Sequence, residues 1–462
     1  MVDVLLAHSN HIYNDRKQTE KMQPYPPLQT MMAASLLRDA GYVVEFCDVT
    51  FDAPLEKIRR SVQQRRPRLL AVYEDGFNFL NKMCLSRNRE VAYAMAQVAR
   101  SEDIKAAVHG PDASDHVREY LKAGFDYVLL GEGEPTLLEL AQERPPAAIA
   151  GLAFFDDDGQ VQYTGRRELL KHLDAFPPAA WDLIDVEQYR AAWQAKHGFF
   201  SLNMVSSRGC PFRCNWCAKP VYGDTYRVRN PRLVAEEVLY LKQSFRPDHI
   251  WFADDIFSIS NRWTAEFTNA IEEFQAQTPF KMQSRCDLMT RNTVAALKRS
   301  GCSEVWMGAE SGSQRVLDAM DKGIRVHHIH DARKNLAQFG IRCCFFLQFG
   351  YPGEGWDEIQ ETVRMIREAK PDDIGVSVSY PLPGTKFFQL VSNQMGRKAN
   401  WSESGDLSMM FRGAFSSEFY RALAAALHLE VREPWRADSV QCAWDQVEQM
   451  RACTGHASEA CA

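Results

Sequence analysis

The chain of 462 residues lacks the features that would place it in a membrane or on a nucleic acid. No stretch of about 18 uncharged apolar residues occurs, so a transmembrane helix is not expected. The first ten residues, MVDVLLAHSN, have no basic n-region and only a short apolar run, which does not fit a signal peptide. The net charge of −6 provides no global basic field for a polyanion. We therefore expect a cytoplasmic protein without a membrane span or a nucleic-acid partner.

The sequence also lacks internal repeats and low-complexity tracts. Hydrophobic residues make up 45% and charged residues 25% of the chain, which is ordinary for a globular protein. At roughly 100–200 residues per domain, the length predicts two to four domains. The 12 cysteines without a secretory signal indicate a reducing compartment, where thiols stay free or bind metal.

Strands and helices alternate from residue 1 to residue 143, which indicates an α/β domain. Five short apolar runs with helical segments between them predict a doubly wound parallel sheet with helices on both faces. In such sheets, ligands bind beyond the carboxyl ends of the strands. The predicted strands are Val2–Ala7, Val43–Cys47, Leu69–Tyr73, Ala106–His109 and Tyr127–Leu130.

Residues 144–200 are rich in Pro and Asp and read as a connector with a small hairpin, Leu152–Phe155 and Val161–Tyr163. The alternation returns over residues 201–391, where six strand–helix units predict a partial barrel of the TIM type. The region 392–462 is mostly helical, and Ser416 or Ser417 is expected to cap one helix. The predicted barrel strands are Leu202–Val205, His249–Ala253, Lys281–Ser284, Glu304–Gly308, Arg342–Phe349 and Gly375–Tyr380.

Three cysteines follow the first barrel strand in the segment SSRGCPFRCNWCAKP. Cys210, Cys214 and Cys217 have the spacing C-x3-C-x2-C, so three thiolates can converge on one soft metal centre. A structural zinc site usually has four protein ligands, and no fourth Cys or His follows nearby, since the next cysteine is Cys286. On a four-iron cluster, three thiolates leave one iron open to an exogenous ligand. The alternatives are a zinc knuckle and three ordinary buried cysteines.

This motif, with the aromatic Trp216 before its last cysteine, resembles the signature of the radical SAM superfamily. The resemblance implies a [4Fe-4S] cluster whose open iron is chelated by the amino and carboxylate groups of S-adenosylmethionine (SAM). An electron from the cluster then cleaves a carbon–sulfur bond, usually giving a 5′-deoxyadenosyl radical that abstracts hydrogen from the substrate. Phe212 and Trp216 are implied to pack near the adenine, and the alternative is that both only anchor the loop.

Later strands of the predicted barrel also end in residues that match the family's cofactor-facing pattern. The resemblance implies SAM contacts at Asp254 after the second strand, at Gln283 and Arg285 after the third, at Glu310 after the fourth and at Gly350 after the fifth. The alternative for the acidic residues is that they cap the next helix.

The sixth strand ends in the segment from Tyr380 to Thr385, and both residues are candidates for contact with a small-molecule substrate.

The first domain resembles the cobalamin-binding domain that is fused to many radical SAM enzymes. The most specific matching piece is the run Gly131-Glu132-Gly133-Glu134-Pro135 after the fifth strand. The D-x-H-x-x-G motif, which supplies an imidazole beneath cobalt in other cobalamin proteins, is absent. The polar loop between Tyr73 and Arg89 either holds a corrin or fills its space, and a domain that only buttresses the barrel is the alternative. The cobalamin-binding candidates are Ser9, Asn10, Glu74, His109, Gly110, Gly131 and Glu132.

Together, the two resemblances imply cobalamin-dependent radical methyl transfer to a small metabolite, with an electron donor such as flavodoxin or ferredoxin. A radical cyclase or rearrangement enzyme of the same architecture is the nearest alternative. A cobalamin-free enzyme that transfers the aminocarboxypropyl group of SAM is a third. An RNA methylthiotransferase needs three more cysteines in the first domain, which has only Cys47 and Cys84. A non-catalytic iron–sulfur protein would show no reductive SAM cleavage.

Overall fold

The computed structural model describes residues 2–217 and 222–457. Its first domain is built on a seven-stranded sheet with the order β2-β1-β3-β4-β5-β6-β7. The first five strands run parallel, as predicted, and the last two form an antiparallel hairpin. The strands are β1 Val4–Ala7, β2 Val44–Cys47, β3 Leu69–Tyr73, β4 Lys105–His109, β5 Tyr127–Leu129, β6 Leu152–Phe155 and β7 Val161–Tyr163.

The hairpin β6–β7, which the sequence placed in the connector, extends this sheet. Val128 of β5 pairs with Ala153 of β6 in an antiparallel register. Without the hairpin, β5 would present a row of unpaired backbone groups at the edge of the sheet. The connector therefore begins with an element that completes the first domain.

Helices cover both faces of the first sheet. Alternate residues of one strand enter different cores, since Leu70 and Val72 pack on one side and Ala71 and Tyr73 on the other. The carboxylate of Asp75 accepts hydrogen bonds from the first backbone amides of the second helix and so fixes where it starts. The helices are α1 Arg16–Lys21, α2 Leu28–Asp39, α3 Pro54–Arg65, α4 Phe79–Lys82, α5 Ser86–Ser101, α6 Pro111–Asp115, α7 Val117–Ala123 and α8 Gly133–Ala141.

After the connector helix α9 (Val186–His197), a six-stranded parallel sheet forms the predicted partial barrel in the order β15-β14-β13-β12-β11-β8. A short antiparallel pair, β9 with β10, lies apart from this sheet. The strands are β8 Ser201–Met204, β9 Ser207–Arg208, β10 Arg227–Val228, β11 His249–Phe252, β12 Phe280–Ser284, β13 Cys302–Glu310, β14 Arg342–Phe349 and β15 Asp373–Val378.

The barrel helices alternate with these strands, and the helical tail packs against the last strand. Ser416 caps the first tail helix, as predicted, because its side chain accepts from the amide of Phe419. In the part of the chain that the structure describes, no helix has the length and apolar character needed to cross a bilayer. The helices are α10 Pro231–Phe245, α11 Asn261–Glu273, α12 Arg291–Ser300, α13 Gln314–Ala319, α14 Val326–Gln338, α15 Trp356–Ala369, α16 Lys386–Val391, α17 Ser417–Arg432 and α18 Ala437–Ala457.

The two domains share a hydrophobic core. Leu28, Met31, Phe77 and Leu85 of the first domain are buried in the same cluster as the barrel core. The carboxyl ends of the first sheet therefore face the barrel rather than open solvent.

Candidate active site

The three cysteines lie in one loop that the strands β9 and β10 close at its base. Arg208 pairs with Arg227 across this base. Gly209 has a φ of +80°, and a Cβ at this position would overlap the carbonyl oxygen of Thr225. Only glycine fits where the two ends of the loop approach each other so closely.

The thiols of Cys210, Cys214 and Cys217 are partly buried and lie within electrostatic reach of one another. Burial raises the pKa of Cys217 to about 12, with Cys214, Asp255 and Cys210 adding to the effect. Over residues 2–217 and 222–457, no three His, Cys, Asp or Glu side chains converge closely enough to hold a single metal ion.

A buried ion pair lies next to the cysteine loop. Glu310 ends β13 with a φ of +62°, and its carboxylate accepts from the ammonium of Lys322 at 2.7 Å. Burial opposes the charge of Lys322, but Glu310 and then Cys214 raise its pKa. The Lys322 nitrogen lies 6.0 Å from the ring centre of Trp216. Lys322 therefore connects the acid at the end of β13 to the loop, and no sequence motif had indicated it.

Arg285, at the end of β12, covers the other aromatic residue of the loop. Its guanidinium carbon lies 3.8 Å from the ring centre of Phe212. The same group donates to Asp287 at 3.0 Å and to the carbonyl oxygen of Lys322 at 2.9 Å. Arg285 is thus a fixed wall of the site. Gln283, two residues earlier on β12, is half-buried.

Two carboxylates follow β11, and both are engaged by protein groups. Asp254 is buried and accepts from the amide of Ser206 at 3.0 Å and from its hydroxyl at 2.8 Å. Burial raises the pKa of Asp254 to about 6. Asp255 pairs with Lys82, which comes from the first domain. The side chain of Asp254 therefore holds the turn, and only its backbone is left to meet a cofactor.

The turn after β14 touches the cysteine loop. Gly350 has a φ of +75°, and a Cβ there would lie 2.9 Å from the sulfur of Met409. The hydroxyl of Tyr351 lies 3.0 Å from Oδ1 of Asn215, inside the loop. Burial raises the pKa of Glu354 to about 8, and its Oε1 has no hydrogen-bond partner. This turn thus contains a buried acid that is protonated at neutral pH.

The two substrate candidates make local contacts. The hydroxyl of Tyr380 accepts from the side chain of Asn400 and from the amide of Trp401, each at 3.1 Å. Thr385 caps α16 by accepting from the amide of Phe388 at 3.0 Å. A role for Tyr380 and Thr385 toward a substrate stays a prediction.

At the carboxyl edge of the first sheet, the structure brings several of the predicted cobalamin-binding residues together. The amide of Ser9 donates to Glu74 at 2.8 Å, and the second carboxylate oxygen of Glu74 is buried without a partner. Gly110 and these two residues line a cavity of about 20 Å³. Asn10 is half-buried directly after Ser9.

Of the remaining candidates, His109 and Gly131 contact their own domain, and Glu132 reaches the barrel domain. His109 stacks on Tyr73, and its Nε2 lies 2.9 Å from the carbonyl oxygen of Gly131. Glu132 is buried and receives hydrogen bonds from Arg208 and Arg227 of the barrel domain. The structure therefore gives the carboxylate of Glu132 a bridging role between the domains.

The polar loop after β3 fills the gap between the first sheet and the barrel. We call residues 77–89 the mouth segment. Lys82 pairs with Asp255 at the end of β11, and the amide of Ser86 donates to the carbonyl oxygen of Trp401 at 2.9 Å. Arg89 donates to Asn400 at 2.8 Å. The mouth segment thus runs across the barrel mouth from β11 to the tail.

Two family profiles match the chain in the regions described above. The Radical SAM superfamily profile covers residues 204–366, which include the cysteine loop and four complete strands of the barrel sheet. The B12 binding domain profile covers residues 22–141 of the first domain.

Proteins from several organisms match this chain over both of its domains. An uncharacterized methyltransferase of Pyrococcus horikoshii is 25% identical over 386 residues, 81% of each chain. The anaerobic magnesium-protoporphyrin IX monomethyl ester cyclase of Rubrivivax gelatinosus is 24% identical over 80% of this chain and 67% of its own. The solved structure of the radical SAM methyltransferase TsrM from Kitasatospora setae, with cobalamin and a [4Fe-4S] cluster bound, superposes with a TM-score of 0.69. That match has 19% identity, covers 85% of this chain and 75% of TsrM, and establishes the shared fold.

The cysteine loop fits a [4Fe-4S] cluster. It offers three soft ligands at the carboxyl end of a parallel barrel, with the cation of Lys322 close to Cys214. Metal coordination deprotonates a thiol outright, so the raised pKa of Cys217 describes the loop without its cluster.

The edge of the first sheet fits cobalamin only in part. The unpartnered oxygen of Glu74 suits a polar side chain of a corrin, but the cavity of about 20 Å³ is far below the roughly 300–1,000 Å³ of ligand pockets. The mouth segment lines this cavity, which is too small for a corrin ring.

The two profiles thus assign a [4Fe-4S] cluster and SAM to the barrel, and cobalamin to the first domain. The chain therefore carries a radical SAM domain that is preceded by a B12 binding domain.

Proposed function

We propose that this protein is a cobalamin-dependent radical SAM methyltransferase that acts on a small metabolite. The observation that carries the proposal is the loop of Cys210, Cys214 and Cys217 at the carboxyl edge of a parallel barrel, facing a B12 binding domain. Relatives named as methyltransferases, in P. horikoshii and in Synechocystis, support it. When bound, the cluster and SAM supply a substrate radical, and cobalamin supplies a carrier for the methyl group.

The residues around the loop prepare the site for this chemistry. Lys322 places a positive charge beside the cysteines, and Glu310 holds the ammonium there because it accepts its hydrogen bond in a buried position. Arg285 and Phe212 form a rigid wall, since the guanidinium is held by two acceptors as well as by the ring. A rigid wall lets the site bind SAM in one orientation without reorganisation.

We further propose that the enzyme works in the cytoplasm with a low-potential electron donor such as flavodoxin or ferredoxin. The cysteines over the described ranges form no disulfide, which is consistent with a reducing compartment. The first domain has no cysteine beyond Cys47 and Cys84, and both are buried, so the second cluster of an RNA methylthiotransferase has no ligands there.

The cluster assignment is tested by anaerobic reconstitution of the full chain. The wild type should bind about four irons with brown absorbance, whereas Cys210→Ala, Cys214→Ala and Cys217→Ala together should abolish binding. Cys442→Ala, which changes an exposed cysteine of α18, is the matched control and should retain all iron. Unchanged iron content in the triple variant would remove the basis of the proposal.

The reaction type is tested with dithionite and SAM that carries a labelled methyl group. Methyl transfer predicts 5′-deoxyadenosine together with label in the product. A cyclase, favoured by the relatives named magnesium-protoporphyrin IX monomethyl ester cyclase, predicts 5′-deoxyadenosine without transferred label. Aminocarboxypropyl transfer predicts 5′-methylthioadenosine instead. The labelled methyl group would stay on the sulfur of this nucleoside.

A further inference from the structure

Two carboxylates of the first domain reach into the barrel domain just beneath the cysteine loop. Arg208 donates to Glu134 at 2.8 Å and to Glu132 at 3.1 Å, and Arg227 donates to Glu132 at 2.8 Å. We call these four residues the glutamate clamp. The side-chain amide of Gln29, from α2 of the same domain, also donates a hydrogen bond to Glu134, at 3.1 Å.

The clamp holds both ends of the cysteine loop. Arg208 lies two residues before Cys210, and Arg227 lies on the strand that leaves the loop. Because both arginines bond to Glu132, a single carboxylate of the first domain fixes the two ends of the loop relative to each other. Arg227 also donates to the carbonyl oxygen of Leu170 at 2.8 Å. This hydrogen bond connects the base of the cysteine loop to the connector.

The clamp is dry and its charges balance. The side chains of Glu132, Glu134 and Arg208 are at most 2% exposed. The rings of Phe176 and Tyr222 lie 4.9 and 5.2 Å from the guanidinium of Arg208 and keep water away. The clamp contains two cations and two anions. If one of these charges is removed, solvent does not screen the unpaired charge that remains, because the surroundings have a low dielectric constant.

We propose that Glu132 and Glu134 are positioning residues for the cluster, through which the B12 binding domain fixes the cysteine loop and neutralises the positive charge beside it. The proposal rests on the proposed ligation of the cluster by the three cysteines. It separates the motif G-E-G-E from cofactor binding in its own domain, and it gives the first domain a role in holding the cysteine loop that does not depend on bound cobalamin.

The test compares Glu134→Gln with Glu139→Gln in the reconstituted full chain. Glu139 lies on the same helix, α8, and pairs with Arg144 and Arg167 away from the barrel. In Glu134→Gln the charge of Arg208 loses its partner, so the midpoint potential of the cluster, followed by electron paramagnetic resonance, should move to less negative values. Reductive SAM cleavage should slow several-fold in the same variant, and Glu139→Gln should match the wild type in both measurements.

A neutral double variant guards against a simple folding defect. Arg208→Met with Glu134→Gln removes one charge of each sign, so its cluster potential should return toward that of the wild type while iron retention falls, since the loop has lost an anchor. A Glu134→Gln protein with wild-type potential and cleavage rate, or a double variant with wild-type iron retention, would overturn the clamp proposal. Iron retention by the triple cysteine variant, measured in parallel, would instead overturn the proposed function.

Discussion

The carboxyl edges of the two parallel sheets have the same topological position and different contents. At the barrel edge, paired charges such as Glu310 with Lys322 surround a loop of three cysteines. At the edge of the first sheet, the strand ends of Ser9 and Glu74 lie under the mouth segment, and the cavity between them holds about 20 Å³.

This difference shows that the carboxyl ends of parallel strands can bind a ligand only where no other part of the protein packs on them. The barrel edge pairs its charged groups with one another around the cysteine loop, as Glu310 does with Lys322. The first sheet directs its polar groups to the neighbouring domain, as Glu132 does with Arg208 and Arg227. We therefore expect the barrel to accept its cofactors readily and the first domain to require motion, and four changes probe that contrast.

The largest effect is expected from Glu310→Ala at the barrel edge. Lys322 would stay buried without a counter-charge, which should lower the free energy of unfolding by about 3–5 kcal/mol. The exposed pair of Glu273 with Arg232 is the control, and Glu273→Ala should barely change the free energy of unfolding because solvent screens that pair. Denaturant unfolding of the apo chain measures both, and equal costs would show that the barrel edge is solvated rather than preorganised.

The second effect concerns the buried acid Glu354. Its pKa is raised from 4.5 to about 8 by burial, so the folded state binds the proton more tightly than the unfolded state. The stability that this proton contributes is present below about pH 4.5 and is lost as the pH rises toward 8, at up to roughly 1.4 kcal/mol per pH unit.

Glu354→Gln should remove that dependence and make the protein more stable than the wild type at pH 8.5. Glu361→Gln, on the exposed side of α15, is the control and should leave the pH profile of denaturant unfolding unchanged. A Glu354→Gln protein whose profile keeps the wild-type slope between pH 5 and 8 would show that another group titrates there.

The sequence predicts strands well and contacts between domains poorly. The strands Leu69–Tyr73, Arg342–Phe349 and Val161–Tyr163 were predicted to the residue, because apolar runs or neighbouring turn signals mark their ends. The helix Arg16–Lys21 was missed because its sequence, RKQTEK, has no apolar period.

In the candidate site, the sequence predicts only those residues that belong to a recognisable motif. The cysteines stand in a local pattern, whereas Lys322 and Lys82 lie in segments without one and reach the site only through the fold. Glu132 shows the opposite limit. Its motif follows a strand and so predicts a ligand of its own domain, but nothing in the local sequence reveals that Arg208, 76 positions later, takes its carboxylate.

The third effect is smaller and concerns Thr385. Its hydroxyl caps α16, so Thr385→Ala should cost about 1 kcal/mol of stability, and Thr385→Ser should restore it. Ser416→Ala, which removes the cap of α17 in the tail, is the matched control for a cap far from the barrel mouth. If substrate turnover falls in Thr385→Ala by far more than its stability loss accounts for, while Ser416→Ala stays active, the residue also contacts substrate.

The smallest effect on stability, and the most direct probe of the contrast, is expected from Lys82→Met. The partly exposed pair of Lys82 with Asp255 contributes little to folding, about 1 kcal/mol or less, but it holds the mouth segment across the barrel. Its loss should speed the uptake of hydroxocobalamin by the full chain, followed by corrin absorbance, and should expose residues 77–89 to limited proteolysis.

The control is Lys105→Met, which breaks an exposed ion pair with Asp126 elsewhere on the first domain. It should change neither the rate of hydroxocobalamin uptake nor the rate of proteolysis at residues 77–89. Equal uptake by Lys82→Met, Lys105→Met and the wild type would mean that the mouth segment already opens freely. The first sheet would then be as accessible to its cofactor as the barrel, because the packing at its edge would pose no barrier to the corrin.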